Sequence, residues 1–398
     1  MKPTPVPAQE PRLLLLSADG HWSEAVRQAV RRLQGYRLEE ASSAEDALTR
    51  LIVPGQTYTH LLVEPGSAGP LFEDLVAMTT EESGSSALVV LGPRDTPASA
   101  VFAATPHHEA VIEALTAPPT PPATSAALTP PALRAALRED MIRTRYQPIL
   151  RIDDLCPVGI EVLARMHHPE LGIVSPDHFV PHFEASGLAR RLTETILARA
   201  MPEIADIIHQ TGLLISVNLP LPAFLDMETP AMLNGLCTRI GIPHARVLVE
   251  LTESFPVEDM PGLRVAAERW RAQGYGTALD DVGPLVPRWR ELIELPFTVL
   301  KLDLSMTRPS QHAAATEIIA ASRTRGLTVV AEGVSDEANL RRLQALGAQA
   351  VQSFLLARPM PARALPLWLR MVHASGHAGL LPGKTPSAGR QETQSAIA

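Results

Sequence analysis

Glu161, Asn218, Glu250, Asp280, Asp281, Lys301, Glu332 and Gln352 could do chemistry together if the fold brought them to one place. Glu161 lies in VGIEVLAR (158–165) and Asn218 in LLISVN (213–218). Glu250 lies in VLVELTE (247–253), the two aspartates in TALDD (277–281) and Lys301 in FTVLKLD (297–303). Glu332 lies in LTVVAEG (327–333) and Gln352 in AVQSF (350–354). Five carboxylates at close range raise one another's pKa and destabilise a fold. A divalent cation resolves that conflict. Oxygen donors with an asparagine carbonyl suit Mg²⁺, Mn²⁺ or Ca²⁺ and not a thiolate-bound zinc. Adjacent aspartates let one carboxylate bridge two metals about 3.5–4 Å apart, the device for in-line attack on a phosphodiester. Lys301, flanked by Leu300 and Leu302, faces away from both, and a buried lysine needs an acidic partner. Taken singly, Asp280-Asp281 reads better as a turn or helix cap, Glu250 and Glu332 as solvated acids, and Lys301 as a plain ion pair.

The elements that must position these groups form a series. With RYQPIL (145–150) there are eight short apolar or β-branched runs, the last six separated by helix-like segments. Strand–helix units repeated to eight predict a closed barrel, with chemistry at the C-terminal ends of its strands. The first two runs are separated only by IDDLCP, too short for a helical crossover, so they should pair as an antiparallel hairpin. GLRVAAERWRAQG reads as a helix closed by Gly274.

The rest of the chain sets the context. The sequence has 398 residues, 45% of them hydrophobic, and a net charge of −8. That balance excludes a duplex nucleic-acid binder but not a small phosphorylated ligand beside a metal. Two isolated cysteines, Cys156 and Cys237, fit a reducing compartment and act as fillers. LLLLSA is too short for a signal core or membrane span, so the expectation is a soluble, cytoplasmic protein. His107-His108 and His167-His168 read as surface or packing residues, Trp289 and Trp368 as packing residues. Residues 1–11 and 376–398 read as disordered, and the Pro/Ala-rich 117–131 as a semi-stiff linker. They leave folded blocks at 12–116 and 132–375. In the first, the runs Leu13–Leu16, Leu61–Glu64 and Leu88–Leu91 alternate with WSEAVRQAVRRL and SAEDALTRLI. This alternation predicts a flavodoxin-like, doubly wound parallel sheet.

That first block resembles a response-regulator receiver domain in size and order, in degenerate form. The resemblance implies acids after the first strand, where Ser17 and Ala18 stand with Asp19 just after. It implies a phospho-accepting aspartate where Glu64 stands, a hydroxyl at Gly92, and a lysine before a proline at Thr105-Pro106. A pseudo-receiver used for docking or dimerisation follows.

Residues 132–375 resemble the EAL family of cyclic di-GMP phosphodiesterases. The motifs are Tyr146-Gln147-Pro148-Ile149, Glu161-Val162-Leu163-Ala164-Arg165 with His168-Pro169, and Glu184-Ala185-Ser186-Gly187-Leu188. They continue with Asn218 in VNL, Glu250 and Glu253 in ELTES, Asp280-Asp281, Lys301-Leu302-Asp303, Ala331-Glu332-Gly333-Val334 and Gln352. The resemblance implies a TIM-like (β/α)8 barrel with an antiparallel first strand. It implies Glu161, Asn218, Glu250 and Asp280 on a first metal, and Asp280 with Asp281 on a second, the ions being Mg²⁺ or Mn²⁺, with Ca²⁺ inhibitory. Lys301 and Glu332 would hold or deprotonate the attacking water, Gln352 would orient ligand or water, and Glu253 would brace the loop after its strand. Gln147, Leu163 and Arg165 would contact the dinucleotide, and hydrolysis would give linear pGpG. A homodimer or a regulatory protein partner through the receiver-like domain is expected, and a parallel dimer through the barrel loops is a family-level expectation. The sequence departs from the family after the aspartate pair, where Val282-Gly283-Pro284-Leu285-Val286-Pro287-Arg288-Trp289 replaces a glycine- and hydroxyl-rich loop. Ser335 replaces a glutamate, Gln349 an aspartate, and Gln352-Ser353-Phe354 replaces QGY. Three readings stay open: an active phosphodiesterase; a weak or inactive EAL domain that senses cyclic di-GMP or binds a protein; and an unrelated barrel hydrolase.

Overall fold

Leu13–Leu16 are all buried, as a central strand covered on both faces requires. A computed structural model describes residues 10–54, 56–80, 87–92, 101–117, 128–169, 171–252, 257–376 and 380. The chain divides near residue 126 into two compact units.

In the first unit, β1 (Arg12–Leu16), β2 (Arg37–Glu40), β3 (His60–Val63), β4 (Ala87–Leu91) and β5 (Val101–Ala103) pair in parallel in the order β2-β1-β3-β4-β5. This is the flavodoxin-like order, as predicted. Asp19 caps the helix Gly20–Leu33 through the His21 amide. Glu64, at the end of β3, accepts from the Ser17 hydroxyl at 2.9 Å, the Ser67 hydroxyl at 2.7 Å and the Asp19 amide at 3.4 Å. The carboxylate at the expected acceptor position is thus already engaged by its neighbours.

The second unit begins with the helix Pro130–Arg138, whose first two residues fall inside the stretch read as linker; residues 118–127 of that stretch lie outside the described residues. Eight strands then close a barrel: β6 (Ile142–Arg151), β7 (Pro157–His168), β9 (Leu214–Pro220), β10 (Val247–Thr252), β11 (Gly276–Val282), β12 (Val299–Leu302), β13 (Thr328–Glu332) and β14 (Ala350–Gln352). A short β8 (Gly172–Val174) adds beside β7. β6 runs antiparallel to both neighbours, β7 and β14, and the other barrel pairs are parallel. The predicted hairpin is therefore what closes the barrel. Gly274 (φ 88) lies just beyond the helix Met260–Ala272. Trp289 and Trp368 are buried, consistent with packing roles. In the tail expected to be disordered from 376, Leu380 is buried; residues 377–379 and 381–398 lie outside the described residues. Among the described residues no helix is long and apolar enough to cross a membrane.

One register rule places the site. Ile149, Leu248, Ala278, Val299, Val330 and Ala350 form an apolar cluster in the barrel. Side chains two residues apart share a strand face. One step toward the C-terminal ends, the same inward faces therefore carry Glu250, Asp280, Lys301, Glu332 and Gln352. On the antiparallel β6 the step runs backward, from Ile149 to Gln147, which pairs across the strands with Glu161. The polar layer lies directly on the apolar one.

Candidate metal centre

Glu161, Glu250, Asp280, Lys301 and Gln352 are all buried. Lys301 Nζ lies 3.2 Å from Glu161 Oε2, 2.9 Å from Glu250 Oε2, 3.0 Å from Asp280 Oδ1 and 2.8 Å from Glu332 Oε1. The acidic partner that the buried lysine demanded is four carboxylates. Carboxylate oxygens of Glu161, Glu250 and Asp280 lie within 4.8 Å of one another, and so do those of Asp280, Asp281 and Glu332. Asp280 belongs to both groups, as two adjacent metals would require.

Neighbouring residues of a regular strand face opposite ways, so Asp280 and Asp281 need a device to share one mouth. The pairing of β11 with β12 slips between Leu279 and Val282, and Asp281 takes a positive φ of 51. This bulge re-aims Asp281 at the cost of a left-handed residue, a conformation aspartate tolerates better than most.

Two glutamines and two polar neighbours fix the acids. Gln352 Nε2 donates to Gln147 Oε1 at 3.0 Å and to Glu161 Oε2. Gln147 Nε2 donates to the Ala357 carbonyl at 3.1 Å, and Asn218 Nδ2 donates to Glu161 Oε1 at 2.6 Å. Ser216 donates to Glu250 Oε1. The sequence reading passed over Ser216, although its place two residues before Asn218 puts it on the same face. With these amide hydrogens committed, Asn218 Oδ1 and Gln352 Oε1 are buried without a hydrogen-bond partner among the described residues. A buried carbonyl oxygen without a partner is costly and is an apt donor to a hard cation. The residues present therefore fit a divalent metal.

The electrostatics agree. Burial, Asp280 and Glu161 hold the Glu250 carboxyl up to about 8 against the pull of Lys301. Asp281 is exposed at the cavity mouth, yet desolvation by the surrounding cavity wall, then the Asp280 charge, lifts its carboxyl to about 6. Burial also raises Asp280 and Glu332. Glu161 is the exception: burial pushes it up, but the Lys301 charge and the amides of Gln352 and Asn218 hold it below the ordinary range.

A cavity of about 990 Å³ opens on this layer, lined by Gln147, Glu161, Leu163, Asn218, Asp280, Asp281, Lys301, Glu332 and Gln352 among others. Arg165 is not among its lining residues; its guanidinium donates to the Ala164 carbonyl at 2.8 Å, and it pairs across strands with Arg143. Glu253 lies outside the described residues. The divergent positions have local partners. Ser335 donates to Asp336, which caps the helix Glu337–Leu346. Gln349 Oε1 accepts from the Val329 amide at 2.8 Å. Ser353, where a glycine was expected, is buried and donates to the Val334 carbonyl. Leu285, in the divergent loop, is 94% exposed.

Residues 131–359 match the EAL domain family. Over 234 residues the chain is 33% identical to the cyclic di-GMP phosphodiesterase PA2567 of Pseudomonas aeruginosa, covering 56% of this chain and 39% of that one. The cyclic di-GMP phosphodiesterase RocR of the same organism is 31% identical over 229 residues, 54% of this chain and 57% of RocR. The chain thus spans between about two fifths and somewhat over half of the length of these relatives. The solved PaMucR phosphodiesterase in complex with c-di-GMP superposes with a TM-score of 0.55 at 31% identity, covering 58% of this chain and 97% of that one.

Proposed function

The chain belongs to the EAL domain family, and from that membership we propose that its barrel hydrolyses cyclic di-GMP to linear pGpG at a two-metal site. One observation carries the proposal: Asp280 is shared between two oxygen-donor groups at the floor of a cavity of about 990 Å³. Glu161, Asn218, Glu250 and Asp280 would hold one ion, and Asp280 with Asp281 the other, Glu332 lying within reach. Mg²⁺ or Mn²⁺ suits this donor set, and Ca²⁺ would compete without supporting turnover. Bound there, such ions supply Lewis-acid stabilisation of phosphoryl charge. The chain's own groups do the rest. Lys301 and Glu332 position the attacking water, and Glu332 takes its proton. Gln147 and Gln352 orient Glu161, and Gln147 and Leu163 offer the cavity wall to the dinucleotide. Glu253 bracing the following loop and Arg165 reaching a phosphate remain parts of the proposal drawn from the motifs.

The loop Gly283–Arg288 favours a second reading. With two prolines and the exposed Leu285, the loop itself carries no hydroxyl, which suits a barrel that binds cyclic di-GMP and turns it over slowly or not at all. The first unit would act as a regulatory or dimerising module without phosphoryl transfer, through itself or a protein partner, in the cytoplasm.

Incubation of the purified chain with cyclic di-GMP and Mg²⁺ or Mn²⁺ should yield pGpG. Glu161→Ala should cut the rate at least 100-fold, and full turnover by that variant would refute the metal assignment. Saturable binding without product would establish the sensor reading instead.

A further inference from the structure

The sequence contains three lysines, Lys2, Lys301 and Lys384, and one of them is the most confined cation among the described residues. Lys301 is 2% exposed, and its ammonium has four carboxylates within 3.2 Å. The oxygens it touches belong to the same groups that would hold metal. We propose that Lys301 is the built-in counter-cation of the metal-free site, and that it competes with incoming metal for these carboxylate oxygens. The inference rests on the two-metal reading and adds to it a cost of metal entry set by this chain.

The physics is a matter of charge balance. Glu161, Glu250, Asp280, Asp281 and Glu332 with one ammonium leave a formal excess of four negative charges, which two divalent ions neutralise. Without metal, Lys301 is the cation present among them, and it sits between the two donor groups because both attract it while repelling each other. Removing one partner of a buried ion pair leaves the others uncompensated. A metal-free site without Lys301 should therefore be poorly held together. The same removal frees the oxygens and deepens the negative potential, so metal should bind more tightly. A lysine acting only on the attacking water predicts neither effect.

The test uses the full chain and three readouts. Lys301→Met should lower the Tm of the metal-free protein by about 10 °C, and Mg²⁺ should restore it. If the variant folds only when Mg²⁺ is present, that is the same effect in stronger form. Calorimetric titration should give Mg²⁺ affinity at least tenfold tighter for Lys301→Met than for the parent. In the parent labelled with ¹³C-lysine, the Lys301 signal should shift on Mg²⁺ saturation while those of Lys2 and Lys384 stay put. Equal metal-free stability, equal or weaker Mg²⁺ affinity, or a Lys301 signal unmoved at saturation would each overturn the inference while leaving metal binding intact. Absence of Mg²⁺ or Mn²⁺ binding by both proteins would remove the two-metal reading itself, and the competition with it.

Discussion

The raised carboxyls of Glu250 and Asp281 make metal binding at this site depend on pH. With Asp281 at about 6 and Glu250 at about 8, the metal-free site retains protons near neutrality that a metal must displace. Mg²⁺ affinity should rise between pH 6 and 9, with proton release on binding that shrinks as pH rises; calorimetry in buffers of different ionisation enthalpy measures both. The stability sign follows. These carboxyls are raised above their ordinary 4.5 and 3.8, so the folded state holds more protons than the unfolded one. Their contribution is full below about pH 4 and fades as pH climbs through 8. Metal-free protein should therefore lose Tm from pH 5.5 to 8.5, and saturating Mg²⁺ should flatten the trend. Ser216 offers a second test, because its hydroxyl holds one Glu250 oxygen. Ser216→Ala should weaken Mg²⁺ binding about tenfold, as loss of a ligand's supporting partner does, with little change in fold by circular dichroism. Most of the acids were legible as strand-end charges. Ser216 was not, because a serine in a strand reads as filler until its cross-strand neighbour is known.

At the scale of elements, period-two alternation read forward from the apolar layer accounts for Glu250, Asp280, Lys301, Glu332 and Gln352. Asp281 defeats that rule. Nothing in two consecutive aspartates announces a bulge, and a positive φ is a property of the backbone that many sequences could adopt. The strand order of the first unit came with the receiver-like resemblance and not from the alternation of strands and helices, which sets layers but not neighbours. The turn after β13 is as tightly defined as the bulge. Gly333 has φ 60, and a Cβ there would lie 2.3 Å from Leu304 Cβ. Gly333→Ala should cost about 2 kcal/mol by chemical denaturation. It should also weaken Mg²⁺ binding, because the residue follows Glu332 directly.

At the scale of the whole molecule, two units with separate cores predict separable stability. A fragment spanning residues 128–380, long enough to keep the buried Leu380, should fold alone and bind Mg²⁺ as the full chain does. In calorimetry, metal should move one transition of the full chain and leave the other where it was. A single transition moved as a block would show that the units unfold together.

The reversed direction of β6 has a consequence for how the barrel is addressed. Ile142 pairs with Met166, near the end of β7, so the polypeptide threads in at the same lip where the acids gather. The helix Pro130–Arg138 packs at that lip, its Leu133 and Ala136 in one apolar cluster with Ile142 and Met166, so substitutions in this helix should be felt at the opening and not at the closed end of the barrel.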